Sequence, residues 1–114
     1  MIKPLRAAVV GVGYLGRFHA QKYAQLPGLN LMAVVDADRD RAQAVASEFK
    51  GCKPLTDVTA LFNEVDLVSV VVPTQLHFST AKPFLERGIH VLLEKPMTVT
   101  VDEAKELNAI AQTT

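Results

Sequence analysis

The string Gly11-Val12-Gly13-Tyr14-Leu15-Gly16 restricts this chain more than any other feature. A Gly-x-Gly-x-x-Gly string alone is weak, because glycines gather in many turns. Its setting gives it physical content. Leu5–Val10 before it is an apolar run of strand length, and Tyr14–Gln25 after it has helical period and stops at Pro27-Gly28. In a strand–turn–helix, Gly11 permits the tight turn. Gly13 lets backbone approach a pyrophosphate, and Gly16 lets helix pack closely on strand. The helix start supplies unpaired N–H groups and partial positive charge, an anion cradle.

The same alternation continues along the chain. Leu31–Val35, Leu67–Val72 and Ile89–Leu93 are apolar runs without polar alternation, as in strands covered by helices on both faces. A weak short strand is expected near Gly51–Lys53. Between these runs, Asp38 caps a helix over 39–49, and a short helix is expected over 56–62. A helix over 76–87 ends at Gly88, but Pro83 inside it predicts a kink or two short pieces. Thr100 and Glu103 have capping-box spacing ahead of a last helix running towards Ala111. The pattern is an α/β domain with a doubly wound parallel sheet, occupying all of residues 1–114.

Asp36 ends the second run, 20 residues after Gly16, where an acid should accept hydrogen bonds from ribose hydroxyls. A carboxylate there repels a 2′-phosphate, and Ala37 stands where an arginine would otherwise receive it, so NAD is expected rather than NADP. Arg39 and Arg41 lie close enough in sequence to make that preference provisional.

Composition excludes several classes. Twelve basic residues balance twelve acidic ones without runs, so no field draws the chain to nucleic acid or membrane. No apolar stretch approaches the roughly 20 residues of a membrane span, and the first residues do not read as a secretory leader. Cys52 is the lone cysteine, which rules out an internal disulfide or a Cys-built metal site and suits a reducing, cytoplasmic setting. No metal is expected.

Ligands of open α/β sheets sit beyond the carboxyl ends of the strands, which selects two further segments. Pro73-Thr74-Gln75-Leu76-His77 follows one strand, and Glu94-Lys95-Pro96-Met97 follows another. A lysine there could orient a substrate hydroxyl, and desolvation beside a cationic ring would lower its pKa towards proton exchange. Read from residues alone, Lys95 is equally a surface charge, and His77 equally a capping or packing histidine. His19 and His90 read as structural, and Cys52 as a small buried or half-buried residue.

Taken together, these strings resemble the amino-terminal domain of the glucose–fructose oxidoreductase / inositol dehydrogenase / MocA family, over essentially the whole chain. The resemblance rests on the glycine turn with His19, on Val35-Asp36, on Pro73–His77, and above all on Gly88-Ile89-His90-Val91-Leu92-Leu93-Glu94-Lys95-Pro96. It implies a Rossmann-type fold and a nicotinamide-dependent oxidoreductase of a polyol, sugar or sugar nucleotide. It further implies that Val12, Tyr14 and Leu15 border the pyrophosphate, while Pro73, Thr74 and His77 line the nicotinamide side. Glu94 and Lys95 approach the nicotinamide ribose and substrate, Lys95 acts on the reacting hydroxyl, and Pro96 follows a cis peptide. Family members continue into a larger α/β substrate domain. These residues alone are therefore expected to bind cofactor without turnover, the alternative being a stand-alone NAD-binding or sensing module. Surface uncovered by a missing domain would favour self-association into a homo-oligomer.

Overall fold

A computed structural model describes residues 4–93 and 101–113. Five strands, β1 (Leu5–Val10), β2 (Leu29–Val35), β3 (Lys53–Leu55), β4 (Leu67–Val70) and β5 (His90–Leu93), form one sheet in the order β3-β2-β1-β4-β5. All four neighbouring pairs are parallel. Four α-helices, α1 (Tyr14–Gln25), α2 (Arg39–Ala46), α3 (His77–Glu86) and α4 (Val101–Thr113), accompany them, with 3-10 turns at Val58–Leu61 and Thr74–Leu76. The chain winds outward from β1 to β3, then returns to the other side of β1 as β4. The strand order therefore reverses between β1 and β4, and a crevice opens beyond their carboxyl ends.

Unbroken apolar runs make sense because alternate residues feed two separate cores. Val9 and Val34 pack with Ala20 of α1 and with Val45 and Ala46 of α2. Ala8, Val10, Ala33, Val35, Val68 and Val70 pack on the opposite face with Leu61 and Phe84. A register shift between Ala7 and Ala8 pairs them with Leu31 and Ala33, leaving Met32 as the extra residue. Consequently Leu31 belongs to the first core, whereas Met32 and Ala33 both serve the second. Phe84 is wholly buried, with its ring edge against Phe62. Truncating such a residue to alanine costs about 3–5 kcal/mol.

Several local expectations are corrected. The weak strand lies at Lys53–Leu55, beyond Gly51, because Ala33, Val34 and Val35 offer their ladder to those residues. The helix expected over 39–49 stops at Ala46, and 47–49 continue as a turn. The short helix expected over 56–62 is a 3-10 turn over Val58–Leu61, capped by Asp57 Oδ1 accepting from the Thr59 N–H at 2.9 Å. The run 67–72 is strand only to Val70. Pro83 neither breaks α3 nor divides it. Its missing N–H would serve the carbonyl of Ser79, an exposed residue where water can substitute. Gly88 ends α3 as expected, at φ +74°. The Ile89 N–H donates to Phe84 O and the Gly88 N–H to Leu85 O, the Schellman arrangement. Thr100 of the expected capping box lies outside the described residues. Among the described residues, no helix is long and apolar enough to cross a membrane.

Candidate functional site

Where the strand order reverses, a cleft of about 530 Å³ opens, with Gly11, Gly13, Asp36, Arg41 and Pro73 in its wall. Its floor is the turn between β1 and α1, whose three glycines have different physical reasons. Gly11 has φ +90°, and a Cβ there would lie 2.3 Å from the carbonyl oxygen of Val71. At Gly16 a Cβ would lie 1.8 Å from the carbonyl oxygen of Gly11. Both are demanded by the fold. Gly13 has φ −68°, and a Cβ there would meet no atom within 4 Å. The fold does not need that glycine; the open space beside it is what the missing side chain preserves.

The start of α1 matches that opening. Gly13 offers no side-chain cap, and no acidic residue stands in the first turn. The first N–H groups of a helix have no partner within it, so these remain donors for an anion. Val12 is buried in the core beneath, whereas Tyr14 and Leu15 are exposed. The Tyr14 ring stands edge-on to Phe18 at 5.0 Å. Of these three residues the first packs the turn, and the other two stand outside the cleft wall.

Asp36 follows β2 directly. Its Oδ2 accepts from the Val12 N–H at 3.0 Å and its Oδ1 from the Asp38 N–H at 2.9 Å. The carboxylate thus ties the glycine turn to the start of α2. Arg41, in the first turn of α2, places Nη1 3.6 Å from Asp36 Oδ2. A carboxylate has about four lone-pair sites. Two backbone bonds therefore leave acceptor capacity for hydroxyl groups.

On the other wall, Pro73 faces the cleft, while Thr74 opens the 3-10 turn leading into α3 and lies outside the wall. His77 is 2 % exposed. Its Nε2 donates to the Val72 carbonyl at 2.9 Å, so the ring braces the loop after β4 from beneath. The structure brings Gly11, Gly13, Asp36 and Pro73 around one space and sets Thr74 and His77 behind it. Glu94, Lys95 and Pro96 lie outside the described residues, as does the peptide bond before Pro96.

One group escaped the sequence reading. Ser69 of β4 is fully buried, and its hydroxyl meets both His19 Nδ1, at 2.9 Å, and the Tyr23 hydroxyl. His19 and Tyr23 stand four residues apart on one face of α1, so this cluster fastens the helix of the phosphate turn to β4. The signal was available: a serine inside an otherwise apolar strand needs partners. Burial pushes the Cys52 thiol up to about 11, consistent with an inert packing residue. Among the described residues, no cluster of three His, Cys, Asp or Glu side chains could hold a metal ion.

Comparison with known proteins agrees with this geometry. Residues 5–114 match the model of an oxidoreductase family with an NAD-binding Rossmann fold. The chain is 46% identical over 108 residues to UDP-N-acetylglucosamine 3-dehydrogenase of Acidithiobacillus ferrooxidans, covering 95% of this chain and 34% of that one. The solved structure of that enzyme superimposes with a TM-score of 0.91 over 99% of this chain and 36% of its own. D-glucoside 3-dehydrogenase of Escherichia coli is 36% identical over 91% of this chain and 30% of its own. KijD10, a 3-ketoreductase from Actinomadura kijaniata solved with NADP, is 30% identical, with a TM-score of 0.89 over 97% of this chain and 36% of its own. The chain thus spans about a third of the length of these relatives. By family model, fold and identity alike, it belongs to the glucose–fructose oxidoreductase / inositol dehydrogenase / MocA oxidoreductases, as their NAD-binding Rossmann domain.

Proposed function

We propose that residues 1–114 are the cofactor-binding half of a cytoplasmic oxidoreductase that prefers NAD and acts on a hydroxyl carbon of a polyol, sugar or sugar nucleotide. The observation that carries this reading is the joint placement of Gly13 and Asp36 on one cleft. Open space beside an uncapped helix start suits a pyrophosphate, and a carboxylate across it suits ribose hydroxyls. The relatives support the substrate class, being a dehydrogenase of a sugar nucleotide, a dehydrogenase of a glucoside and a 3-ketoreductase. In a longer parent, a second domain would supply most substrate contacts.

When bound, the nicotinamide accepts or donates the hydride; the remaining work falls to the chain's own side chains. Gly11 to Gly16 hold the pyrophosphate through backbone, with Val12, Tyr14 and Leu15 bordering it. Asp36 accepts from the adenosine ribose. Pro73, Thr74 and His77 shape the nicotinamide side, His77 by bracing the loop that carries the other two. β5 ends at Leu93, directly before Glu94, Lys95 and Pro96. In this reading Lys95 orients the substrate hydroxyl and takes or returns its proton, and Glu94 contacts the nicotinamide ribose.

Calorimetric titration of the 114-residue chain with NAD tests the reading. Saturable binding is expected, weakened at least tenfold in Asp36→Ala, because a hydrogen bond to a charged acceptor contributes about 1.5–3 kcal/mol. A folded chain that takes up neither NAD nor NADP would overturn it.

A further inference from the structure

α1 carries the N–H groups that would meet a pyrophosphate, so its direction matters as much as the place where it starts. The start is pinned. The Val12 N–H donates to Asp36 Oδ2 at 3.0 Å, and Gly16 packs so closely on Gly11 that a Cβ there would lie 1.8 Å from the Gly11 carbonyl oxygen. A helix fixed near one end can still swing about that end, and two side-chain attachments oppose this. On one flank, His19 and Tyr23 reach Ser69 of β4. Arg17, two positions before His19 and so about 200° away around the helix, reaches the other flank and meets Glu48 just past α2. The pairing is a fork: Arg17 Nε donates to Glu48 Oε2 at 2.8 Å, and Nη2 donates to Oε1. Arg17 holds the Glu48 carboxyl below its ordinary 4.5, so both partners are charged at neutral pH.

We propose that Arg17 and Glu48 are positioning residues of the dinucleotide cleft, whose fork fixes the direction of α1 and thereby the span from the pyrophosphate cradle to Asp36. The proposal rests on the reading of the cleft as a dinucleotide site. Both residues stand outside the cleft wall, so the pair acts through α1 and not by contact. α2 is joined to the cofactor turn at both ends. At its start Asp36 accepts from the Val12 and Asp38 N–H groups, and just past its end Glu48 holds Arg17. A ligand that touches both the cradle and Asp36 senses the span between them. A ligand that touches only the ribose side does not.

Loss of Glu48 separates positioning from simple charge, because the two act with opposite sign. Removing the carboxylate frees the Arg17 cation one turn into α1, which by charge alone attracts a pyrophosphate. Releasing the helix, in contrast, misplaces the cradle. The test compares NAD with adenosine, which carries the ribose but no phosphate, by NMR titration of the wild-type chain, Glu48→Ala and Glu48→Gln. In Glu48→Ala, NAD is expected to weaken about three- to tenfold while adenosine stays within about twofold, the scale of one well-formed surface fork. Glu48→Gln, which keeps one acceptor for the guanidinium, should fall between Glu48→Ala and wild type. Tighter or unchanged NAD binding in Glu48→Ala would overturn the proposal, and so would an equal loss for both ligands, the mark of a merely structural pair. A folded wild-type chain that binds neither ligand would overturn the underlying reading as well.

Discussion

The two walls of the cleft are built by opposite means. On the β1–α1–β2 side the work is done by backbone: a glycine at φ +90°, an uncapped helix start, and one carboxylate held by two N–H groups. On the β4–α3 side it is done by side chains that brace from below. His77 is buried against Val72, and Ser69 is buried between His19 and Tyr23. Backbone recognition needs particular residues at particular spacings, so it leaves a readable string. Bracing needs only a donor and an acceptor that meet in the fold, at no fixed spacing: His77 and Val72 stand 5 residues apart, Ser69 and His19 50.

The sharpest division between the walls concerns chemistry. In a full-length parent, Lys95→Ala is expected to lower turnover by about 10²–10⁴-fold, the usual worth of a positioned proton-transfer group. NAD affinity should change little, since holding the cofactor falls mainly to the β1–α1–β2 side. Stopped-flow turnover combined with NAD titration separates the two. Parallel loss of both would make Lys95 a cofactor ligand and erase the distinction.

Within the backbone wall, the three glycines divide between fold and site. Gly16→Ala drives a Cβ into the Gly11 carbonyl at 1.8 Å, where only backbone displacement can relieve it. A loss of about 2–4 kcal/mol is expected by chemical denaturation, at the upper end of overpacking costs. Gly13→Ala meets open space at an ordinary φ and should leave stability nearly unchanged while weakening NAD at least tenfold. If Gly13→Ala destabilises the chain as much as Gly16→Ala, the motif is structural throughout.

Much of this was legible before any coordinates, for physical reasons. α1 was readable to the residue, because the glycine turn starts it and Pro27-Gly28 stops it. Asp36 was readable from its spacing to Gly16. The short elements were not: Lys53–Leu55 is a strand only because β2 offers it a partner, and Val58–Leu61 is too short for periodicity to tell a 3-10 turn from an α-helix. Pro83 does not divide α3, whose Ala81 and Phe84 on either side of it are wholly buried against the sheet. The separate places of Arg39 and Arg41 depend on where α2 docks, which no local pattern encodes.

The bracing wall predicts a smaller and purely structural effect. Ser69→Ala removes the fully buried hydroxyl that meets both His19 and Tyr23, two half-buried side chains of α1. Each hydrogen bond lost between part-buried side chains costs about 0.5–1.5 kcal/mol. Denaturant midpoints should fall accordingly. Since α1 carries the phosphate turn, NAD affinity should fall with them, and Ser69→Thr, which keeps the hydroxyl, should recover part of both. A Ser69→Ala chain as stable as wild type would remove the cluster from any account of how the turn is held.

The smallest effect lies at the amino end of the sheet, and it shows whether the cleft is insulated from the rest of the fold. Asp66, just before β4, accepts from the Arg6 N–H at 2.8 Å and from its Nη2 at 3.1 Å, closing the amino ends of β1 and β4. The Arg6 side chain, then its backbone N–H, holds the Asp66 carboxyl below its ordinary 3.8. Because the folded-state pKa is depressed, the associated stability is fully present above the unfolded value and is lost as pH falls through the folded one. Melting temperature should therefore drop below about pH 4, and drop less in Asp66→Asn, which has no carboxyl to titrate. Both side chains are partly exposed, so solvent screening keeps the difference small. At neutral pH, Asp66→Asn should bind NAD as the wild type does, because the cleft lies beyond the opposite, carboxyl ends of the strands. A loss of affinity in this variant would mean that the two ends of the sheet are coupled through β1, and that the cleft depends on more than its own walls.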